Sequence, residues 1–160
     1  MKTFSSLIAP LTALLLAAGC ATAPAPKTLT ETAAATPQLS TMTKLIQDAG
    51  LTGTLNGPGP YTMFAPTDEA FKALPAATLQ ALAQDKARLQ AVLSYHVVAG
   101  AVMASDVKNG PVKTVQGANL ALSKSGTFMT VEDAVVTTAD VRATNGVLHI
   151  VDKVLIPPVR

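Results

Sequence analysis

A long apolar run lies near the carboxyl end of the chain, where most of residues 147–156 are Val, Leu or Ile. Three polar residues interrupt the run, namely His149, Asp152 and Lys153. An Asn-Gly pair, which favours a tight turn, comes before the run, and two prolines come after it. A β-rich run with so few polar positions is typical of a buried strand, so we expect this segment to close the core beneath other elements.

The first helical pattern of the main domain covers residues 40–49, where apolar residues recur at spacings of three and four. Either Ser40 or Thr41 is placed to cap this helix, and Gly50 is placed to end it. A segment rich in Gly and Pro follows, which predicts a tight turn. The pattern therefore predicts one amphipathic helix before the first strand.

That first strand is expected at residues 61–65, and Thr67 is placed to cap the helix that follows it. Asp68 and Glu69 put negative charge on the first turn of this helix, where the helix dipole favours it. An acidic pair can also bind metal or transfer protons. Since no histidine and no third carboxylate lies nearby in the sequence, the capping interpretation is favoured.

Two further core-facing helices are expected, the first capped by Thr78 and the second by Asp85. The second helix runs into Tyr95 and His96, where the apolar period changes from helical to extended. A tyrosine and a histidine at such a junction are usually partly buried and bonded to nearby backbone. The alternative is that these two side chains contact a ligand or partner.

The second half of the chain consists of short apolar runs separated by turn residues. Short strands joined by short turns indicate a β-meander. Because helices come mainly first and strands mainly second, the order predicts an α+β fold. The expected strands cover residues 112–115, 119–122, 128–131 and 135–136, before the closing run.

Residues 1–19 have a positive start, an apolar core and small residues before Cys20, which predicts an export signal. The last of these positions resemble a bacterial lipobox, by which Cys20 would be lipidated and become the first residue of the mature protein. Several acyl chains exceed the two signals that stable anchoring needs. An ordinary secretory signal whose cleavage site carries a cysteine is the alternative. Ala21, in place of Asp, resembles the outer-membrane sorting of lipoproteins in a host with two membranes.

Residues 20–37 are rich in Ala, Thr and Pro, which predicts a tether, although residues 28–35 have the composition of a short helix. We expect the folded domain at residues 38–160. The chain has 12 basic and 10 acidic residues, so no nucleic-acid partner is expected. Cys20 is the one cysteine in the sequence, so stability must come from packing without an internal disulfide.

Four motifs in order resemble the fasciclin domain family: the segment at residues 57–71, the Tyr-His-Val-Val motif at 95–98, the turn at 114–117 and the closing segment at 139–157. The resemblance covers about residues 38–157. It implies a wedge of two β-sheets with helices packed along one edge. It also implies a role in cell adhesion and extracellular protein interaction and no catalysis.

By the same resemblance, several polar side chains form a hydrogen-bond network that joins helix, strand and closing strand. In animal members the region around the Tyr-His motif has been linked to integrin binding, which makes Tyr95 and His96 a candidate interaction surface. His149 and Asp152 are expected to meet the corner formed by Thr67 and Asp68. The predicted network consists of Thr67, Asp68, His96, His149 and Asp152.

The leading hypothesis is therefore an exported lipoprotein, in the periplasm or on the cell surface, whose domain binds an envelope or extracellular protein or a glycan. The alternative is a carrier of a small hydrophobic lipid or pigment, suggested by the aliphatic content, by four methionines and by a resemblance to pigment- or lipid-binding fasciclin proteins. No enzyme and no cofactor is expected, since the sequence has no phosphate loop, paired nucleophile or metal-ligand motif. Asp140, Asp152 and His149 could gather around a metal, but structural hydrogen bonds are favoured.

Overall fold

The computed structural model describes residues 27–158, and the predicted export signal, Cys20 and residues 21–26 lie outside them. Within this range the helices come mainly first and the strands mainly second, so the α+β prediction is confirmed. The helices are α1 (Leu29–Ala34), α2 (Ser40–Asp48), α3 (Thr52–Leu55), α4 (Asp68–Lys72), α5 (Ala76–Gln84) and α6 (Lys86–Tyr95), with a 3-10 turn at Pro37–Leu39. The strands are β1 (Tyr61–Pro66), β2 (Val97–Ala99), β3 (Gly110–Lys113), β4 (Asn119–Ser125), β5 (Phe128–Val131), β6 (Ala134–Ala143) and β7 (Gly146–Val151).

The strands described at residues 27–158 follow the spatial order β2-β1-β7-β6-β5-β4-β3. The long strand β6 belongs to both halves of this arrangement, because it pairs with β5 near its start and with β7 along the rest. Register shifts between Val136 and Val141 bend it, as bulges do. The free side of β2 meets the chain just after β3, where Val98 pairs with Thr114. The result is a wedge of two sheet halves, as expected.

The predicted closing strand is β7, and it lies at the centre of the first sheet half. It runs parallel to β1 and antiparallel to β6, and five of its six residues are buried. Gly146 is required here by close packing, because a Cβ atom would overlap the carbonyl oxygen of Tyr61 on β1. The end of the chain is thus built against the first signature segment, through the β1–β7 ladder.

Two hydrophobic cores lie on the two sides of this sheet half. The first core lies between the helices and the sheet, and the second lies between the two sheet halves. Both are built from residues 29–155, so the chain from Ala21 to Arg160 contains every described contact of the folded unit. Burial of this many aliphatic side chains is the main stabilising contribution. The most deeply buried side chains include Leu29, Met42, Met63 and Leu148 in the first core and Phe64, Val98, Leu120 and Val151 in the second.

The tether prediction is wrong for residues 28–35, because α1 packs into the domain. Leu29 and Ala33 are fully buried in the first core. Thr28 caps α1 and exchanges hydrogen bonds with Glu31 in a capping box. The backbone N–H of Thr144 donates to the carbonyl of Lys27 at 2.9 Å, which fixes the chain beside the start of β7. The folded unit therefore begins at about residue 27 instead of residue 38.

Two of the four predicted helix caps are confirmed. Thr67 accepts from the N–H of Ala70 at 3.2 Å, and Asp85 accepts from the N–H of Arg88 at 3.0 Å. Thr78 caps nothing, since α5 already begins at Ala76, with Pro75 at the N-cap position and no side-chain cap. The fourth cap, at the start of α2, is not made by Ser40 or Thr41 but comes from outside the helix, as described below.

Candidate functional site

Tyr95 and His96 do not form an interaction surface, because the structure buries both side chains. His96 has no exposed area and Tyr95 is 3% exposed. The Tyr95 hydroxyl lies 3.2 Å from the carbonyl oxygen of Asn119 and 3.3 Å from a carboxylate oxygen of Glu132. The local reason is the helix-to-strand junction, which turns both side chains inward as the chain leaves α6 for β2. The partly buried interpretation of this pair was therefore the correct one.

Both ring nitrogens of His96 are used within the fold. Its Nδ1–H donates to the carbonyl of Val92 at 2.7 Å, and its Nε2 accepts from the N–H of Leu155 at 2.9 Å. Nε2 can accept this bond only when the ring is neutral. Burial lowers the pKa of His96 to about 4, against the raising effect of the Val92 bond. His96 therefore holds the segment after β7 against the end of α6.

His149 makes the equivalent attachment with the opposite tautomer. Its Nδ1 accepts from the N–H of Asp140 at 3.2 Å, and its Nε2–H donates to the carbonyl of Val102 at 2.7 Å. The ring also stacks on Phe64, with centroids 5.4 Å apart. Burial lowers the pKa of His149, although the Val102 bond and the charge of Asp140 act in the other direction. Since every ring nitrogen of both histidines is occupied, neither ring is free to act as a base at neutral pH.

The loop after β2 is fastened at three points beside His149. Thr62 donates through its hydroxyl to the carbonyl of Gly100 at 2.7 Å and accepts from the N–H of Val102 at 2.8 Å. Asp140, at the bulge of β6, accepts from the N–H of Ala104 at 2.7 Å. Asp140 has a left-handed backbone with φ of 58°, which Asp tolerates better than most residues. Sequence reasoning did not find Thr62, because a threonine inside a strand pattern carries no signal of its partner.

The five polar side chains expected in one network are placed in separate groups. Among the described residues, no hydrogen bond joins any two of them. Asp68 caps α2, where Ser40 Oγ and Thr41 N donate to its two oxygens at 2.7 Å each. Asp152 accepts from the N–H of Val135 at 2.7 Å.

The expected meeting of His149 and Asp152 with the corner at Thr67 is therefore wrong for the side chains. The corner is tied to the closing strand through backbone instead, because Thr67 N–H donates to the carbonyl of Val151 at 3.1 Å. The physical reason is the period of two along β7, which sends His149 into the second core and leaves Asp152 past the strand end.

No group of three His, Cys, Asp or Glu side chains suited to a metal ion is found within residues 27–158. Asp140 and His149 do lie together, but they are joined through a backbone N–H, and Asp152 lies with Val135. In the same range no helix is long and apolar enough to cross a membrane. In the described part of the chain, Asp140, His149 and Asp152 thus make structural hydrogen bonds with backbone groups.

A groove of about 840 Å³ opens on the described surface. It lies between α5, α6, the turn after β3 and the segment that follows β7. Its size falls in the range of about 300 to 1,000 Å³ that is typical of small-molecule sites. Sequence reasoning missed the groove because four separate segments form it. Its lining residues are Ala77, Thr78, Ala81, Leu82, Asp85, Arg88, Ala91, Val92, Gln116, Gly117, Ala118, Ile156, Pro157 and Pro158.

One wall of the groove depends on His96. Leu155, whose N–H is held by His96, is 4% exposed and fills the second core, while the next residue, Ile156, is 54% exposed at the groove rim. A second hollow of about 500 Å³ lies on the other side of the same segment, next to Tyr95 and Glu132. His96 therefore fixes the groove wall from inside the fold, whereas Tyr95 lies beside the second hollow.

Comparison with known proteins gives one family. A family model described as "Fasciclin domain" matches residues 37–157. The chain is 40% identical to the protein sll1483 of Synechocystis over 133 residues, which are 82% of this chain and 74% of that protein. It is 41% identical to the cell surface glycolipoprotein MPB83 of Mycobacterium bovis over 127 residues, which are 76% of this chain and 57% of that protein.

Among solved structures, the fold is similar to that of a FAS1 domain pair from the insect cell adhesion molecule Fasciclin I. The TM-score is 0.61 at 24% identity, and the match covers 74% of this chain and 45% of that one. At this identity the likeness concerns the fold alone, and it agrees with the wedge described above.

Proposed function

The chain belongs to the fasciclin domain family, and from that premise we propose that it is an exported, lipid-anchored domain with an adhesion-type role at the cell envelope. Its partner would be a protein or a glycan of the envelope or the surroundings. The observation that carries this proposal is the 41% identity to a cell surface glycolipoprotein, which extends over 76% of this chain. The two histidines are not available for catalysis, because all of their ring nitrogens are hydrogen-bonded within the fold.

The lipobox resemblance at Cys20 supplies the anchor. With α1 packed into the domain, only six residues separate Cys20 from Lys27. Seven Cα steps of at most about 3.6 Å give a maximal reach of about 25 Å. The domain would thus stay close to the membrane, because these seven steps reach about two fifths as far as the 17 steps of a tether extending to residue 37.

The short connection also orients the domain. Lys27 lies beside Thr144, just before the start of β7, and we call this side the tethered end. The groove is lined by residues 156–158, which come after the far end of the same strand. β7 has six residues and is roughly 20 Å long. The groove would therefore face away from the membrane, where a partner from the surroundings can reach it.

Site-specific photocrosslinking in living cells of the host tests the proposed role. A photoreactive residue at Gln116, exposed at the groove end, should give a discrete conjugate with a protein or glycan. The matched control is the same residue at Lys27, exposed at the tethered end, which should give no such conjugate. Conjugates from Gln116 that match bulk envelope proteins, or equal yields from both sites, would contradict the proposal.

A second candidate function is the carriage of a small hydrophobic ligand, and the groove is the observation that favours it. Its volume of about 840 Å³ suits a small molecule, and most of its lining is apolar. This candidate is compatible with anchoring, since a groove that faces away from the membrane can take up a ligand from the surroundings. The mass of the native protein from its host, measured with and without denaturation, would show a bound ligand directly.

A further inference from the structure

We propose that the groove binds a single apolar chain that ends in a carboxylate, and that Arg88 is the residue that binds the carboxylate. This inference rests on the proposal that the groove takes a small hydrophobic ligand. It adds the chemical class of that ligand and the residue that selects it. The chemistry is shared by free fatty acids and by other single-chain amphiphiles with a carboxylate end.

The groove walls suit a hydrocarbon chain. Of the 14 lining residues, ten are Ala, Val, Leu, Ile, Gly or Pro. Leu82 and Val92 form a buried floor, each 4% exposed, and Ile156 stands at the rim. Alanines from both helices keep the channel between α5 and α6 open, because their side chains are too short to fill it. Burial of apolar ligand surface against these walls would drive binding.

The same lining argues against a peptide as the occupant. A bound peptide brings a donor and an acceptor at almost every residue, and each needs a partner when it is buried. The groove offers four polar side chains, those of Thr78, Asp85, Arg88 and Gln116. Gly117, which also lines the groove, already donates its N–H to the carbonyl of Thr114 at 3.0 Å. A ligand whose polar atoms are all at one end fits this distribution of polar groups better than a peptide does.

Arg88 is the cation that the groove presents. Its guanidinium is at the exposed lip and makes no ion pair or hydrogen bond with the described residues, 27–158. The neighbouring carboxylate of Asp85 accepts from the backbone N–H of Arg88 and caps α6, where the positive end of the helix dipole offsets its charge. The five donors of the guanidinium therefore remain available, and a carboxylate can take two of them at once.

The chain supplies two matched controls. Lys86 is exposed on the same turn of α6 as Arg88 but does not line the groove. Ala83 is exposed on α5 and outside the groove, whereas Ala81 lines it. Arg88→Gln and Lys86→Gln thus remove the same charge inside and outside the site. Ala81→Trp and Ala83→Trp add the same bulk inside and outside the site.

The experiment is a calorimetric titration of the chain from Ala21 to Arg160 with dodecanoate and with dodecanol, below the concentrations at which they aggregate. Dodecanoate should bind, and Arg88→Gln should weaken it by about tenfold or more while Lys86→Gln leaves it unchanged. Dodecanol, which has the same chain without the charge, should bind more weakly, and its affinity should be the same in Arg88→Gln as in the parent chain. Ala81→Trp should abolish binding of both, and Ala83→Trp should not.

Each other outcome overturns a defined part of the proposal. Equal binding of the acid and the alcohol, unaffected by Arg88→Gln, would overturn carboxylate recognition and leave the apolar-ligand proposal intact. No binding of either compound to a chain with unchanged circular dichroism would overturn both. A third titration, with phosphatidylglycerol vesicles, tests whether the ligand is a membrane lipid instead of a free single chain. Stronger binding to the vesicles than to dodecanoate would assign the site to membrane lipid and overturn the free-chain assignment.

Discussion

Gly146→Ala is expected to destabilise the domain by at least about 4 kcal/mol, a large share of the roughly 5 to 15 kcal/mol by which a natural domain is typically stable. Gly146 pairs with Tyr61 in the parallel β1–β7 ladder. An added methyl group would overlap the Tyr61 carbonyl oxygen and lie 2.8 Å from its carbon and 3.0 Å from Leu29 Cδ1. These are backbone and packed core atoms, so the clash can be relieved only by moving β1 or β7.

The control for this prediction is Gly53→Ala. Gly53 lies in α3, its backbone is not left-handed, and an added Cβ would meet no atom within 4 Å. Alanine in a helix is favoured over glycine by about 0.5 to 1 kcal/mol, so this variant should be as stable as the parent chain or slightly more stable. Urea unfolding followed by circular dichroism measures both. Equal midpoints for the two variants would show that the β1–β7 contact is not as close as described.

Stability is also expected to fall steeply with acid in a window set by histidine. His96 has a pKa of about 4 in the fold and an ordinary value of 6.5 in the unfolded chain. Below pH 6.5 the unfolded chain therefore binds a proton that the folded chain does not, so stability is lost as the pH falls towards 4. The pKa difference corresponds to roughly 3 kcal/mol. The lowered pKa of His149 acts in the same direction and adds to the loss.

This acid effect can be assigned without a variant, because the chain contains two histidines in total and both lie in the cores. The carboxyl groups with lowered pKa values, those of Glu31 and Asp68, lose their contribution only near and below their ordinary values of 4.5 and 3.8. Urea midpoints measured from neutral pH downward should therefore begin to fall near pH 6.5. The imidazole signals of His96 in NMR should not titrate near pH 6.5 while the domain stays folded. A flat stability profile across this window would contradict the buried neutral histidines.

The elements that follow from local pattern could be predicted from the sequence. The closing strand, the strand β1 and the caps at Thr67 and Asp85 each depend on a few consecutive residues, and the structure has them where the pattern places them. The order of helices and strands then predicted the fold class. Four ordered motifs were specific enough to indicate the family, which the family model confirms for residues 37–157.

Contacts between distant segments could not be predicted in this way. Asp68 was expected to serve its own helix, but its carboxylate reaches back 27 and 28 residues to cap α2. An acidic residue directly after Thr67 also suits the first turn of its own helix. The sequence therefore did not distinguish that role from the capping of α2. Likewise α1 was recognised as helical, but its composition of Ala and Thr did not reveal that Leu29 fills a gap beside Gly146.

The site was the least predictable part. Tyr95 and His96 carry polar atoms, which is compatible both with a surface contact and with a bonded core position, and only the tertiary contacts to Asn119 and Leu155 decide between them. The groove is lined by residues from four segments, and half of them are Ala, Gly or Pro, residue types that carry no chemical signal in sequence. Arg88 becomes distinctive only through its position at the lip.

The proposed function depends on the domain being exported and anchored through Cys20, close to the membrane. The most direct test is the mass of the amino-terminal peptide of the mature protein, isolated from its own host. We expect a peptide that begins at Cys20 and carries a diacylglyceryl thioether with an acylated amino group. A peptide that begins at another residue, or one that begins at Cys20 without lipid, would contradict the anchor and the orientation derived from it.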